Sequence, residues 1–163
     1  MATSSAVDTN IGNLPAADQA RTDITTSGTT TTVTVEGAAP LRNLVVETNT
    51  LAPSLTLDGN FSNCDFVGGA SVPERFTVAG GGSALRSALG GGNRVTKSNF
   101  VLGKDSFKDT VKFENGATAR KVTIKDFAKG DTLKYKGDTY KYSDITSNGK
   151  GFDGLSTKEI RLA

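Results

Sequence analysis

From Thr31 onward, short apolar runs alternate with clusters of Gly, Asn and Asp. The runs are TTVTVE (31–36), LRNLVVET (41–48), SLTLD (54–58), RFTV (75–78), KSNFVL (97–102), DTVKF (109–113), RKVTI (120–124), DTLKYK (131–136), TYKY (139–142) and KEIRL (158–162). Stretches rich in Val, Leu, Phe, Tyr and Thr, recurring about every 8–12 residues, predict an all-β protein of short strands. Two turns sharpen this picture. Asn115-Gly116 suits a two-residue type I′ hairpin and Gly137-Asp138 a type II′ hairpin. The first puts Phe107, Val111, Phe113, Val122 and Ile124 on one face and Lys108, Lys112, Lys121 and Lys125 on the other. The second aligns Tyr135 with Tyr140, Leu133 with Tyr142 and Lys134 with Lys141. Period-two alternation holds through both turns, so the expected fold is all-β with short antiparallel strands. They would form one sandwich- or barrel-like domain, or two small β lobes joined by a Gly-rich hinge.

The polar stretches set the expected boundaries. Residues 1–32 offer only Val7, Ile11, Leu14 and Ile24 as large apolar groups, too few for a core of their own. An extended or mobile N-terminal arm is expected over 1–28, with a weak helical signal in LPAADQAR (14–21). A β lobe over 29–79 follows. The triplets Gly80–Gly82 and Gly90–Gly92 flank SALRSAL (83–89), a short helix candidate, and together they read as a hinge over 80–93. A second lobe spans 94–163. All eleven aromatic residues lie between Phe61 and Phe152.

Charge divides at the same place. The 163 residues carry 19 basic and 17 acidic side chains, yet residues 1–93 have a net charge of −4 and residues 94–163 one of +6. The first lobe is therefore acidic and the second Lys-rich. Nucleic-acid binding is not expected, because single-strand binders mix aromatic and basic groups on one surface and here they alternate across faces. Outward Lys residues suit a solvated face or docking on an acidic protein.

The chain has no His and no Trp, and its one Cys is Cys64. Without imidazole, the usual general base, the Ser-His and Cys-His pairs and the commonest metal ligand are all lacking. Cys64 reads as a small buried thiol. Carboxylate catalysis would have to draw on Asp126, Asp131 and Asp138, each in a turn-like context where Asp bonds its own backbone. No enzyme is expected, and no catalytic, cofactor-binding or metal residue is assigned. Calcium is the one metal weighed: NGKGFDGLS (148–156) matches four positions of the nonapeptide G-G-x-G-x-D-x-U-x, including Asp153. Asp105 and Asp109 near Gly103 are a second oxygen cluster. A single nonapeptide leaves Asp153 without the neighbouring repeats that complete such a site. No leader segment and no membrane-spanning run is read from the sequence.

The Met-Ala-Thr start, the Thr/Ala/Gly-rich arm and the short strands resemble small virion proteins of tailed bacteriophages. Within that class the chain is similar to the knob-like head proteins of marine cyanobacterial podoviruses, in MATSSAVDTN, SALRSALGGGNRVTKSNFVLGKDSFKDTVKFENG and KDFAKGDTLKYKGDTYKYSDI. VTIKDFAKGDTLKY (122–135) also resembles segments beside the β-rolls of RTX-type secreted proteins. The first resemblance implies a non-enzymatic decoration protein made in the host cytoplasm and bound to the major capsid protein on the outer surface of the head. Either the arm or the Lys-bearing sheet would dock. The second implies a calcium-stabilised β-roll module of a cyanobacterial surface or secreted protein. A carbohydrate-binding β-sandwich, using Tyr135, Tyr140 and Tyr142, is a third alternative.

Overall fold

The computed structural model describes residues 7–69, 72–80 and 92–163. The short helix expected at 83–89 and the middle of the expected hinge lie outside these residues. The chain winds as a three-sided parallel β-helix. Its first coil contains β3 (Thr30–Val35), β4 (Leu41–Arg42) and β5 (Val45–Glu47), and its second β6 (Ser54–Asp58), β7 (Asn60–Ser62) and β8 (Asp65–Val67). The third contains β9 (Arg75–Val78), β10 (Arg94–Thr96) and β11 (Asn99–Val101), and the fourth β12 (Thr110–Phe113), β13 (Thr118–Arg120) and β14 (Val122–Lys125). β15 (Thr132–Tyr135) begins a fifth coil, which β17 (Ile160–Leu162) resumes after an excursion through the β-strand β16 (Asp138–Lys141).

Three sheets result. Sheet A runs β1-β5-β8-β11-β14-β17, where β1 is Asp8–Thr9; sheet B runs β16-β15-β12-β9-β6-β3-β2, where β2 is Thr22–Ser27; sheet C runs β13-β10-β7-β4. Sandwich-like antiparallel pairing is thereby overturned. Coil joins coil in parallel along all three sheets, and the antiparallel pairs are β1 with β5, β2 with β3 and β15 with β16. Parallel sheets are normally covered on both faces and read as continuous apolar runs. Here each sheet has one face inside the coil and one in water, so its strands alternate as antiparallel strands do.

Two lobes are not formed either. Strands from 29–79 and from 94–163 share all three sheets, and one apolar cluster runs from Val7 to Ile160. Gly80 and Gly92, the described ends of the expected hinge, are closely packed: a Cβ on Gly80 would lie 1.9 Å from the Asn115 carbonyl oxygen, and one on Gly92 2.0 Å from that of Gly116. Gly92→Ala is expected to lower stability by about 1–2 kcal/mol, because a backbone carbonyl has to move. A thermal melt equal to that of the parent would contradict this packing.

The interior is built of stacked rows. Val46, Phe66, Phe100, Ile124 and Leu162 stack along sheet A, Leu41, Phe61, Val95 and Ala119 along sheet C, and Leu55, Phe76, Val111 and Leu133 along sheet B. Rings continue between rows: Phe66–Phe100 is 5.1 Å, Phe76–Phe100 5.7 Å, Phe100–Phe113 6.0 Å and Phe113–Tyr135 5.2 Å between centroids.

Both ends are closed. Residues 7–27, expected as part of an arm, form β1, a 3₁₀ turn (Ile11–Asn13), α1 (Ala16–Ala20) and β2, with Val7 and Leu14 buried. At the other end β15 and β16 make a hairpin whose turn is Lys136-Gly137, both left-handed at φ 54° and 88°, one residue earlier than expected. Lys134 thus faces Thr139, and Lys141 faces Thr132, which separates the two lysines. Asn115-Gly116 is instead a corner that passes the chain from sheet B to sheet C, with the Ala117 N–H donating to the Glu114 carbonyl at 2.9 Å. The Lys face expected of that hairpin is divided accordingly. Lys112 stands on sheet B beside Lys134, whereas Lys121 lies at the corner between β13 and β14 and Lys125 on sheet A.

Candidate functional site

The corner between sheets C and A repeats a single backbone device. Asn43, Asn63, Lys97 and Lys121 occupy it in successive coils, with φ of 60°, 57°, 50° and 55°. Left-handed backbone costs an ordinary L residue about 1–2 kcal/mol, and Asn tolerates it best after Gly. The first two coils obey that preference. The Asn63 amide donates to Asn43 Oδ1 at 2.6 Å, and Asn10 caps the row by donating to the Asn43 carbonyl at 2.9 Å. The third and fourth coils place Lys there instead.

These two lysines line a groove of about 510 Å³ with Lys158 and Arg161. The coil ladder stacks Lys97 on Lys121, the Lys97 N–H donating to the carbonyl of Arg120, so these two cations are about 4.8 Å apart along the axis. In the next coil the same register brings Glu159 to Lys121, and Lys158, one residue earlier, lines the groove. All four are exposed. The ion pairs among described residues are Arg21–Asp18, Lys112–Glu114 and Lys136–Glu159, and none uses these four cations. Arg161 Nε donates to Thr123 Oγ1 at 3.0 Å, which anchors the guanidinium of this exposed residue. Asn99 and Thr123 provide a neutral polar floor, Asn99 being held by Asp65 at 2.6 Å.

A second constellation lies at the turn from sheet A into sheet B. Glu74, Asp109 and Asp131, all buried, immediately precede β9, β12 and β15. Asp109 Oδ1 accepts the Glu74 N–H at 2.8 Å, and Asp131 Oδ1 accepts the Asp109 N–H at 3.0 Å. The two aspartate carboxylates thus each satisfy the amide of the coil before them. Pro53 holds the equivalent place before β6 and has no N–H to satisfy. Burial, with Asp131 and Asp105 adding repulsion, pushes the Asp109 carboxyl up to about 6. Burial raises Asp131 as well.

Among described residues, carboxylate oxygens of Glu74, Asp105 and Asp109 lie within 4.8 Å of one another. Oxygens of this kind suit a hard cation, but calcium takes six to eight. Asp105 also accepts the Phe107 N–H at 2.7 Å. The sequence had singled out Asp105 and Asp109 and missed Glu74, which lies 35 residues before Asp109 and is brought to it only by coiling. Asp126, Asp131 and Asp138 are not gathered: Asp126 follows β14, Asp131 serves the ladder, and Asp138 pairs with Tyr135. Asp153 is exposed in the excursion between β16 and β17, where its N–H donates to the Asp144 carbonyl at 2.8 Å.

The remaining candidates are structural. Cys64 is buried, and desolvation pushes its thiol up to about 11, which suppresses the reactive thiolate. Tyr135 points inward, its hydroxyl donating to Glu159 at 3.0 Å and accepting the Ala119 N–H at 3.2 Å. Tyr142 is 52% exposed and lies in a separate hollow with Lys108, Lys129 and Lys141. No described helix is long and apolar enough to cross a membrane.

Comparison of the chain with models of protein families, with curated proteins and with solved structures returned no match.

Proposed function

We propose that this chain is a non-enzymatic structural protein of a virion, bound through sheet B to the major capsid protein on the outer surface of a tailed-phage head. The resemblance to podovirus head proteins motivates the reading. The observation that carries it is the outward side of sheet B, a seven-stranded face. Thr25, Thr32, Thr56, Thr77, Lys112 and Lys134 form one outward row across six strands. Arg75 and Lys141 stand in the adjacent row. Small hydroxyls at one end and cations at the other form a regular surface that fits an acidic capsid surface, where charge complementarity sets orientation and association rate. Residues 7–27 pack as a cap, which supports assigning the docking to the Lys-bearing sheet in this reading rather than to the arm.

Purified virions are expected to contain the chain in many copies by mass spectrometry, and its absence from them would end this reading. Undecorated heads are expected to take up the parent protein and to lose the Arg75→Glu/Lys134→Glu variant by about tenfold or more in affinity. Uptake unchanged by that charge reversal would remove sheet B as the docking face.

Parallel coils are also what the calcium-stabilised β-roll alternative requires. Its one nonapeptide, however, lies in the excursion between β16 and β17, outside the stacked strands.

A further inference from the structure

We propose that the groove at the sheet C–sheet A corner of the last three coils binds an anionic polysaccharide, its sugar carboxylates or sulfates engaging Lys97, Lys121, Lys158 and Arg161. This surface is separate from the capsid-docking face of sheet B, and the inference does not depend on that docking.

Four observations lead to this ligand class. Lys97 and Lys121 are stacked in successive coils, and Lys158 and Arg161 of the next coil line the same groove. From Lys97 to Lys158 the groove spans two coil steps, about 10 Å, the length of roughly two sugar rings. The charges are uncompensated by any described ion pair, although like charges stacked on neighbouring strands repel. Such an arrangement is relieved when an anion lies across it. Arg161 is preorganised: its Nε bond to Thr123 Oγ1 leaves a planar pair of N–H edges suited to bidentate capture of a carboxylate or sulfate. The floor is neutral and polar, as the hydroxyls between the charged substituents of a glycan require, with Asn99 and Thr123 as its hydrogen-bonding groups.

The same features argue against nucleic acid and protein. Single-stranded nucleic acid gains much of its affinity from stacking on aromatic side chains, and no aromatic residue lines this groove. An acidic protein surface of standard size covers about 800 Å² on each partner, whereas this groove is lined by seven residues, an extent suited to one extended chain.

The corner row supplies a clean test. Asn43 and Asn63 hold the same backbone position as Lys97 and Lys121, so Lys97→Asn/Lys121→Asn removes two charges and keeps a residue that accepts the left-handed conformation. Affinity electrophoresis of the full chain through gels holding heparin, alginate, neutral dextran or poly-L-glutamate, with a labelled oligo-dT measured alongside, reads the binding. The parent is expected to be retarded by heparin, alginate or both, and not by dextran; which one retards it separates sulfate from carboxylate recognition. The double variant and Arg161→Gln are each expected to weaken that binding by about tenfold, while Lys112→Asn/Lys134→Asn on sheet B leaves it within about twofold. A melting temperature for Lys97→Asn/Lys121→Asn at or above that of the parent ensures that weaker binding is not loss of fold. Retardation by neither anionic glycan, equal retardation of parent and double variant, or tighter binding to oligo-dT or polyglutamate than to either glycan would overturn the proposal.

Discussion

Phe100→Ala is expected to lower the unfolding free energy by about 3–5 kcal/mol, the range for emptying a buried aromatic site. Phe100 is fully buried in the third coil, and its ring meets Phe66 of the second coil, Phe76 of its own and Phe113 of the fourth. A coiled array holds together through contacts between nearest neighbours, so a ring that touches both adjacent coils serves two interfaces at once. Urea unfolding measures the loss. Phe100→Leu, which retains most of the volume, is expected to lose no more than about 1.5 kcal/mol. A loss below about 1.5 kcal/mol for the alanine variant would mean that the neighbouring rings collapse into the space.

The second large effect is a stability that increases with acid. In the folded chain the Asp109 carboxyl titrates near 6, against about 3.9 when unfolded. Between those values the folded state holds the additional proton, so stability rises as pH falls from about 7 towards 4 and is lost as pH rises through 6. The difference amounts to about 2–3 kcal/mol for this group, and Asp131, shifted in the same direction, adds to it. Most proteins stabilised by paired carboxylates behave in the opposite way. Thermal melts in chelator at pH 5 and pH 8 are expected to show the higher Tm at pH 5. Asp109→Asn keeps an oxygen for the Glu74 N–H and removes the charge, so it is expected to raise the pH 8 value and flatten the profile. A parent Tm that falls between pH 8 and pH 5 would contradict the carboxylate ladder.

Much of the strand content was legible, although β1, β2, β7, β8 and β10 lie outside the runs read from the sequence. Every apolar run read from Thr31 to Leu162 contributes to a strand, because period-two alternation with a wet face is a local property. Direction was not, for the same reason: Val111 and Phe113 alternate with Lys112 whether the next strand returns beside them or passes round a corner. The decisive signal was an internal repeat. LRNLVV (41–46), FSNCDF (61–66), VTKSNF (95–100) and ARKVTI (119–124) each place a left-handed residue third and a core residue last. Their spacings of 20, 34 and 24 residues, set by the registers Val45↔Asp65, Asp65↔Asn99 and Asn99↔Thr123, conceal the period. Substitution of Lys for Asn at the third place conceals it further. The basic groove suffered the same concealment, since Lys97, Lys121, Lys158 and Arg161 are scattered in sequence and converge only through coiling. Asp131 illustrates the opposite failure: its turn-like neighbours suggested that it bonds locally, and the Ala128 N–H does donate to it at 2.7 Å, but its other oxygen serves the preceding coil.

The antiparallel strands at the two ends of sheet B have a consequence for assembly. A parallel stack exposes at each end a row of amides and carbonyls that would accept another coil of the same kind, and open edges of that sort lead to fibres. β2 and β16 run against the grain of the stack and occupy both positions. Removing residues 136–163, which takes away β16 and β17, would bare β15 and β14 as parallel edge strands beside β13, and such edges favour pairing with a second copy. The hairpin at Lys136-Gly137 therefore ends sheet B in an antiparallel strand, whereas sheets A and C end at this side in the parallel strands β17 and β13.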